Sequence, residues 1–329
     1  MKKLMNGAET ILGESLDGFA AAHADILTLS TDRKFLRRKS LKQGKVALLS
    51  GGGSGHEPLH GGFVGMGMLD AVCPGQIFTS PTPDQMVEAM ADIDTGAGVL
   101  LIVKNYEGDV MNFEMASEMT EGKVARVLTN DDVAVEDSLY TTGRRGVAGT
   151  LIVEKIVGAA AEQGADLLSL KALGDRVNAA TRSMGVALTS CTVPSANKPM
   201  FDIGPDEMEF GVGIHGEPGR RRDKLKSADA IAEEICNAIA SDLGAVTGKS
   251  ALLFVNGFGG TPAMELYVMY NAARRIFAGH GVKVARSLVG PYVTSLDMAG
   301  CSITLSLLED DLIGLWDAPV HTAALRWGV

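Results

Sequence analysis

The chain has 329 residues, of which 46% are hydrophobic and 21% are charged, and its formal net charge at pH 7 is −10. This length exceeds that of a typical single domain, and the composition is that of a folded soluble protein rather than of a disordered or membrane protein. The negative charge argues against nucleic acid and anionic membranes as partners, which leaves small molecules and other proteins.

The N-terminal segment and the cysteines predict a cytoplasmic protein. Glu9 and Glu14 interrupt the apolar run that a signal peptide needs, and no run of about 18 apolar residues could span a bilayer. The cysteines lie far apart without a CxxC pair, which argues against a zinc site and a disulfide framework. They are Cys73, Cys191, Cys236 and Cys301.

In the first half of the chain, helices and strands are predicted to alternate. Apolar spacing predicts an amphipathic helix over residues 8–22, and the polar, basic residues 31–44 predict a surface loop. A short buried strand at 46–49 leads into the glycine-rich sequence GGGSGHEP. The pattern then predicts a helix over 83–91, strands over 99–104 and 125–129, an acidic loop over 130–138, and helices over 150–163 and 167–183. This alternation is typical of a doubly wound parallel sheet.

From residue 185 onwards, shorter strands and turns predominate. Gly211 and Gly213 flank a predicted strand that ends at His215. The remaining predicted elements are a helix at 229–242, a strand at 252–256, a helix at 263–278, and strands at 282–288, 302–307 and 312–315. We therefore predict two α/β domains. The first, 1–184, has a doubly wound, mostly parallel sheet, and the second, 185–329, is smaller with a mixed sheet and a C-terminal tail able to pack back on the first.

The glycine-rich sequence at 51–58 suits a small hydroxylated ligand better than a nucleotide. Its glycines tolerate positive φ, so a tight turn there can direct several N–H groups at one polar ligand. A P-loop would require Lys and then Ser or Thr after the last glycine, but His56 and Glu57 stand there. Because ligands of parallel sheets bind at the carboxyl ends of the strands, His56, Lys104 and Asp109 are expected to converge.

Taken singly, the titratable residues have ordinary structural explanations. His215 could bond to a backbone carbonyl, Asp109 could cap the following helix, and Lys104 could be a solvated strand end. Glycine loops at three strand ends, each beside a His, Asp or Lys, together indicate a functional site.

Several motifs resemble those of one family, the dihydroxyacetone kinase substrate-binding subunits (DhaK). The resemblance extends from about Lys45 to the C-terminus, and the sequence around His215 is its most specific part. The motifs are GGGSGHEP, GQIFTSPTP, KNYEGD, DDVAVEDSLYTTGRRGVAGT, EMEFGVGIHGEPG, TSLDMAG and LWDAPV.

The resemblance implies a role for each matching residue. The histidine matching His215 forms a covalent hemiaminal with the carbonyl carbon of dihydroxyacetone, and those matching His56 and Asp109 act in proton transfer. The residues that surround the substrate match Gly53, Ser54, Gly55, His56, Phe78, Ser80, Lys104 and Asp109. Neutral imidazole is nucleophilic enough for this attack, and a covalent bond discriminates against glycerol, which has no carbonyl.

The sequence contains no Walker motif, kinase glycine loop or aspartate cluster for a magnesium-bound nucleotide. The phosphoryl group should therefore come from another protein, and the resemblance implies a separate DhaL-type subunit carrying ADP or ATP with Mg²⁺. The chain itself is expected to act as a homodimer. Either ATP exchange or a phosphoenolpyruvate-dependent relay through a DhaM-type protein could supply it. Two other functions remain open, namely a ketone-binding regulatory sensor and an aldose or ketose isomerase, and erythrulose or glyceraldehyde could replace dihydroxyacetone.

Overall fold

The computed structural model describes residues 2–135, 141–196 and 198–329, so part of the predicted acidic loop at 130–138 lies outside the described residues. The helices are α1 Ile11–Ala22, α2 Pro83–Ile93, α3 Glu107–Glu118, α4 Gly149–Glu162, α5 Leu167–Ala179, α6 Ala228–Leu243, α7 Ala263–Gly279 and α8 Asp310–Asp317. The strands are β1 Leu27–Leu29, β2 Leu36–Arg38, β3 Ala47–Ser54, β4 Gly65–Met66, β5 Ala71–Ile77, β6 Val99–Lys104, β7 Val124–Thr129, β8 Thr181–Ala187, β9 Glu207–Phe210, β10 Arg221–Lys224, β11 Ser250–Gly257, β12 Lys283–Gly290, β13 Gly300–Leu307, β14 Val320–Thr322 and β15 Arg326–Trp327.

The first sheet has the strand order β1-β2-β5-β3-β6-β7. Its four strands from β5 to β7 are parallel, and β2 and β1 extend it in antiparallel fashion. Strand β6 is buried along its whole length, as expected for a central parallel strand with helices on both faces. The predicted doubly wound, mostly parallel sheet is confirmed.

The second sheet has the order β10-β9-β8-β13-β11-β12. Only β11 and β12 run parallel, and all the other pairs are antiparallel, so the expected mixed sheet is also confirmed. Strand β14 pairs with β4, which brings the C-terminal residues back to the first half of the chain. Strand β8 belongs to the second sheet and spans residue 184, and the domain boundary there stays a prediction.

Helix starts follow local capping rules. The Gln85 side chain accepts a hydrogen bond from the Thr82 N–H at 2.9 Å, and Pro83 occupies the first turn of α2, where no N–H partner is required. Asp166 caps α5 by accepting hydrogen bonds from the backbone N–H groups of Leu168 and Ser169, and Ser227 caps α6.

Three predicted elements differ from the structure. The predicted helix 167–183 ends at Ala179, because the following residues pair with β13 as strand β8. The predicted strand 312–315 is part of α8, where Leu312 and Trp316 are buried one helical turn apart. The predicted loop 31–44 contains β2, whose short antiparallel pairing with β5 outweighs its basic composition.

The glycines after the first buried strand do not form the predicted turn. Strand β3 continues through them to Ser54 and pairs there with β5, whereas its pairing with β6 ends at Ser50. They are needed for close packing, since a Cβ on Gly51 would lie 2.7 Å from the Cys73 carbonyl oxygen, and one on Gly53 would lie 2.6 Å from the Thr79 nitrogen.

Candidate active site

A cavity of about 460 Å³ lies at the carboxyl ends of β3, β5 and β6, where the parallel-sheet rule predicts a ligand site. Its walls come from the first sheet, the start of α3 and two loops of the second half. The lining residues are Gly53, Phe78, Thr79, Ser80, Tyr106, Glu107, Gly108, Asp109, Asn112, Met200 and His215.

His215 lies in an irregular segment, not at the end of a strand as predicted, because β9 already ends at Phe210. The Glu217 carboxylate accepts hydrogen bonds from the His215 backbone N–H at 3.0 Å and from its ring Nδ1 at 2.9 Å. A Cβ on Gly213 would lie 1.8 Å from Glu217 Oε2, so only glycine leaves room for this carboxylate. Since Nδ1 carries the proton, Nε2 keeps its lone pair.

The pKa of Glu217 indicates a stable carboxylate. Burial would raise the pKa of Glu217, but the neighbouring His215 and Arg145 outweigh it and lower the value to about 2. Glu217 is therefore ionised at neutral pH and can balance a positive charge on the His215 ring.

Three aromatic rings contact the His215 ring edge to face. The ring centroids of His56, Tyr106 and Phe78 lie 4.6, 4.7 and 5.2 Å from that of His215. Phe78 has a left-handed backbone conformation with φ of 56° and stacks on His56 at 5.0 Å. Gly55 makes this stack possible, because a Cβ there would lie 2.8 Å from the Phe78 ring. The His215 ring is thus fixed by packing as well as by hydrogen bonds.

His56 is buried and held in one tautomer. Its Nδ1 donates to the Thr294 carbonyl oxygen at 2.7 Å, and its Nε2 has no hydrogen-bond partner within the described part of the chain. Burial and the nearby His215 and Lys104 hold the pKa of His56 well below its usual value. His56 is therefore neutral at physiological pH, with an unpaired Nε2 that can accept a proton.

Lys104 lies beneath β3, the strand that contains Gly51 to Gly53 and is called the glycine strand below, rather than on the cavity wall. Its ammonium is 3.4 Å from Asp109 Oδ2, and the close approach depends on Gly52, where a Cβ would lie 2.2 Å from the Lys104 nitrogen. The other oxygen of Asp109, Oδ1, is buried and has no partner among the described residues. Because Asp109 lines the cavity, Oδ1 is available to a ligand hydroxyl.

The remaining predicted residues differ in their positions. Gly53, Phe78 and Ser80 line the cavity together with Asp109 and His215. Ser54 does not, since its hydroxyl donates to the Gly75 carbonyl oxygen at 2.7 Å and its strand position faces a second cavity. Gly55 supports the site from outside, through its contact with the Phe78 ring.

Sequence reasoning placed His60 beside the glycine-rich sequence but missed Tyr106, Glu217 and Glu154. The signal for Glu217 was present, because HGEP at 215–218 echoes HEP at 56–58 and so places a carboxylate just after each histidine. Tyr106 is buried on the cavity wall, and its hydroxyl has no partner in the part of the chain that the structure describes.

Two kinds of site are not found among residues 2–135, 141–196 and 198–329. No group of three or more His, Cys, Asp or Glu side chains is arranged to hold a metal ion. No helix in those ranges is both long and apolar enough to cross a membrane.

Comparisons with known proteins identify the family. Residues 17–324 match the family model described as the Dak1 domain. The chain is 49% identical over 328 residues to the dihydroxyacetone-binding subunit DhaK of the PTS-dependent dihydroxyacetone kinase 1 of Listeria innocua, a match that covers 98% of this chain and 100% of the relative.

Two solved structures are similar over almost the whole chain. One is the dihydroxyacetone kinase operon co-activator DhaQ, with 33% identity, a TM-score of 0.89 and coverage of 94% of this chain and 97% of the other. The other is the dihydroxyacetone kinase of C. freundii in complex with AMP-PNP and Mg²⁺, with 31% identity and a TM-score of 0.89. That match covers 99% of this chain but only 61% of the C. freundii chain.

The α/β fold is shared with these relatives, and the relatives named as dihydroxyacetone kinases or their subunits place the chain in the kinase class. The chain belongs to the Dak1 family. The family inferred from the sequence motifs and the expected enzyme class, a phosphotransferase, are confirmed.

Proposed function

We propose that this chain is the ketone-binding subunit of a dihydroxyacetone kinase and that it holds the ketone as a hemiaminal on His215. The observation that carries the proposal is the contact between Glu217 Oε1 and His215 Nδ1 at 2.9 Å, which leaves Nε2 as the free nucleophile in the cavity. The 49% identity to a dihydroxyacetone-binding subunit supports the choice of ketone.

The covalent step needs only this chain, the ketone and one water molecule as proton source. The Nε2 lone pair of His215 forms a bond to the carbonyl carbon, and the carbonyl π electrons move to the oxygen, which takes one proton from the water and leaves hydroxide to the solvent. The imidazolium that results is balanced by the Glu217 carboxylate, whose low pKa keeps it ionised. Glycerol offers no carbonyl carbon and cannot form this bond.

Phosphoryl transfer then requires a proton acceptor for the terminal hydroxyl of the bound ketone. Asp109 Oδ1 and His56 Nε2 are both buried without a partner in the described residues, so either can take that proton. Lys104 lies beneath Gly52, where it neutralises charge without lining the cavity.

The phosphoryl donor belongs to a separate subunit in this proposal. The C. freundii kinase in complex with AMP-PNP and Mg²⁺ has a chain of which this protein covers 61%, which leaves room for a nucleotide-binding part elsewhere in that chain. The corresponding partner here is a DhaL-type subunit carrying ADP or ATP with Mg²⁺. The PTS-dependent relative favours a phosphoenolpyruvate-dependent relay through a DhaM-type protein over ATP exchange. Homodimerisation and a cytoplasmic location stay predictions.

Carbon-13 NMR of dihydroxyacetone labelled at its carbonyl carbon tests the covalent step. With the wild-type chain, the ketone signal should be replaced by that of a saturated carbon bonded to nitrogen and oxygen. His215→Ala should abolish the new signal and tight ketone binding, whereas His280→Ala, which removes a half-buried histidine at the end of α7 whose Nε2 contacts Asn237, should retain both. Undiminished ketone binding by His215→Ala would refute the proposal.

A ketone-binding regulatory sensor is the second candidate. The likeness to the co-activator DhaQ, with a TM-score of 0.89, favours it. Incubation with dihydroxyacetone and a charged DhaL-type subunit separates the two functions, because only a kinase subunit yields the phosphate ester. A ketone adduct without ester would identify a sensor.

A further inference from the structure

A chain of four buried polar side chains runs from the cavity into the core of the first half. It consists of Asp109, Lys104, His60 and Glu154, which are 3%, 1%, 5% and 0% exposed. Lys104 is the last residue of β6, and Asp109 lies in the first turn of α3. His60 follows the glycine strand β3, and Glu154 comes from α4, nearly all of whose residues are buried. Only Asp109 reaches the cavity wall.

The Lys104 ammonium is held on three sides. It lies 3.1 Å from the Gly51 carbonyl oxygen, 3.1 Å from His60 Nε2 and 3.4 Å from Asp109 Oδ2. An ammonium group has three protons, so each of these acceptors takes one. The hydrogen bond to His60 therefore helps to orient the Lys104 ammonium group towards Asp109.

His60 can accept that proton at Nε2 only if its own proton is on Nδ1. Glu154 Oε1 lies 2.5 Å from Nδ1 and accepts a hydrogen bond from it. Ser50 Oγ is also 3.1 Å from Nδ1, but its own proton goes to the Ile102 carbonyl oxygen at 2.7 Å. Burial and the neighbouring Lys104 hold the pKa of His60 well below its usual value, so the ring is neutral, as this arrangement requires.

We propose that His60 and Glu154 are positioning residues for phosphoryl transfer, which hold the Lys104 ammonium against Asp109 so that the second Asp109 oxygen faces the ketone. This inference rests on the proposed function, because it assigns Asp109 and Lys104 to the transfer step. Burial raises the pKa of Glu154 to about 8, so its side chain is mostly a neutral carboxyl group at pH 7, and its carbonyl oxygen accepts from His60 Nδ1. The far end of this chain of contacts is Asp109 Oδ1, which has no partner among the described residues.

Three variants separate positioning from general structural damage. Glu154→Gln keeps an oxygen that can accept from His60 Nδ1, whereas Glu154→Met keeps the length but removes the acceptor. Glu162→Gln is the matched control, since it removes a carboxylate from the same helix but from a pair with Arg38.

The first readout divides turnover from ketone capture. With a charged DhaL-type subunit in excess, Glu154→Met should lower kcat by about tenfold or more, because misplacement of a charged group at the reacting atoms reduces the rate steeply. Capture of labelled dihydroxyacetone at His215 should change by less than about twofold, and Glu154→Gln should restore most of the lost rate. Unchanged kcat in Glu154→Met, or equal losses of capture and kcat, would overturn the inference.

The second readout does not depend on turnover. The His60 Nδ1 proton, in a short hydrogen bond with an Nδ1 to Glu154 Oε1 distance of 2.5 Å, should give a far-downfield proton NMR signal in the wild-type chain, assigned by its loss in His60→Gln. Glu154→Met should lose this signal and Glu162→Gln should keep it. If Glu154→Met does not fold, kcat is measured instead in His60→Leu, which removes the Nε2 acceptor of the Lys104 ammonium, and an unchanged kcat there overturns the inference. Absence of phosphate ester from the wild-type chain would instead refute the proposed function.

Discussion

Replacement of Glu217 by glutamine should weaken ketone capture. The Glu217 carboxylate is 2% exposed and accepts from two donors of His215, the backbone N–H and the ring Nδ1. Glutamine offers one acceptor oxygen, so one donor loses its partner and faces an amide N–H₂ group. A hydrogen bond to a charged group contributes about 1.5–3 kcal/mol, so affinity for dihydroxyacetone should fall by about 10- to 100-fold.

The same substitution should change how stability depends on pH. Although burial acts to raise the pKa of Glu217, His215 and Arg145 lower it from an ordinary 4.5 to about 2. A carboxyl group with a lowered pKa in the folded state adds stability that is fully present above its unfolded pKa and is lost as pH falls towards its folded pKa. The lowered pKa of Glu217 corresponds to about 3 kcal/mol of folding stability at neutral pH, and Glu217→Gln lacks this contribution.

Urea unfolding of both chains between about pH 7 and pH 3 measures this effect. The difference in the free energy of unfolding between the wild-type chain and Glu217→Gln should be largest at pH 7 and should become smaller as pH falls below about 4.5. Glu233→Gln, which removes an exposed carboxylate of α6, is the control and should show no such gap. A gap that stays constant with pH, or unchanged ketone affinity in Glu217→Gln, would refute the role given to the Glu217 charge.

Two further substitutions test the first half of the site. Gly52→Ala places a Cβ 2.2 Å from the Lys104 nitrogen and should cost about 1–3 kcal/mol in urea unfolding along with most of the turnover. Gly44→Ala, at a left-handed position with open space around it, controls for backbone strain, and equal effects of the two would contradict the steric argument. Asp109→Asn should lower kcat on the order of 10² while dihydroxyacetone remains bound, since a proton acceptor acts in the transition state. Parallel losses of binding and rate would instead make Asp109 a residue for ketone positioning.

The fold class could be predicted from the sequence because periodicity reports burial directly. The run VLLIVK at 99–104 has no polar face, which only a central strand tolerates, and the structure has it there as β6. The errors arose where tertiary contacts override local preference. Thr181 and the residues after it continue a helical pattern but pair with β13, and Leu312 lies in a run too short for periodicity to separate strand from helix.

The site was predictable as a set of residues but not as a set of contacts. Motif resemblance supplied His56, Asp109 and His215, and the structure brings all three to one cavity region. No sequence pattern links Glu154 to His60, which are 94 positions apart and meet because α4 packs against the first sheet at β6 and β7. Buried partners of this kind are set by helix packing, which single-sequence reasoning does not resolve.

The cavity depends on how the two sheets sit against each other. His56 is in the first half of the chain, yet its tautomer is fixed by the Thr294 carbonyl oxygen from the second half. The Leu296 N–H also donates to the Gly55 carbonyl oxygen at 2.9 Å, so the same loop of the second half holds the end of the glycine strand. His215 itself comes from the second half and packs on His56. A shift between the two sheets would therefore displace His215 relative to His56 and to the cavity wall. In the proposed mechanism this arrangement matters, since a bond to His215 would deliver the hydroxyl to Asp109 only while the two halves of the chain keep their relative positions.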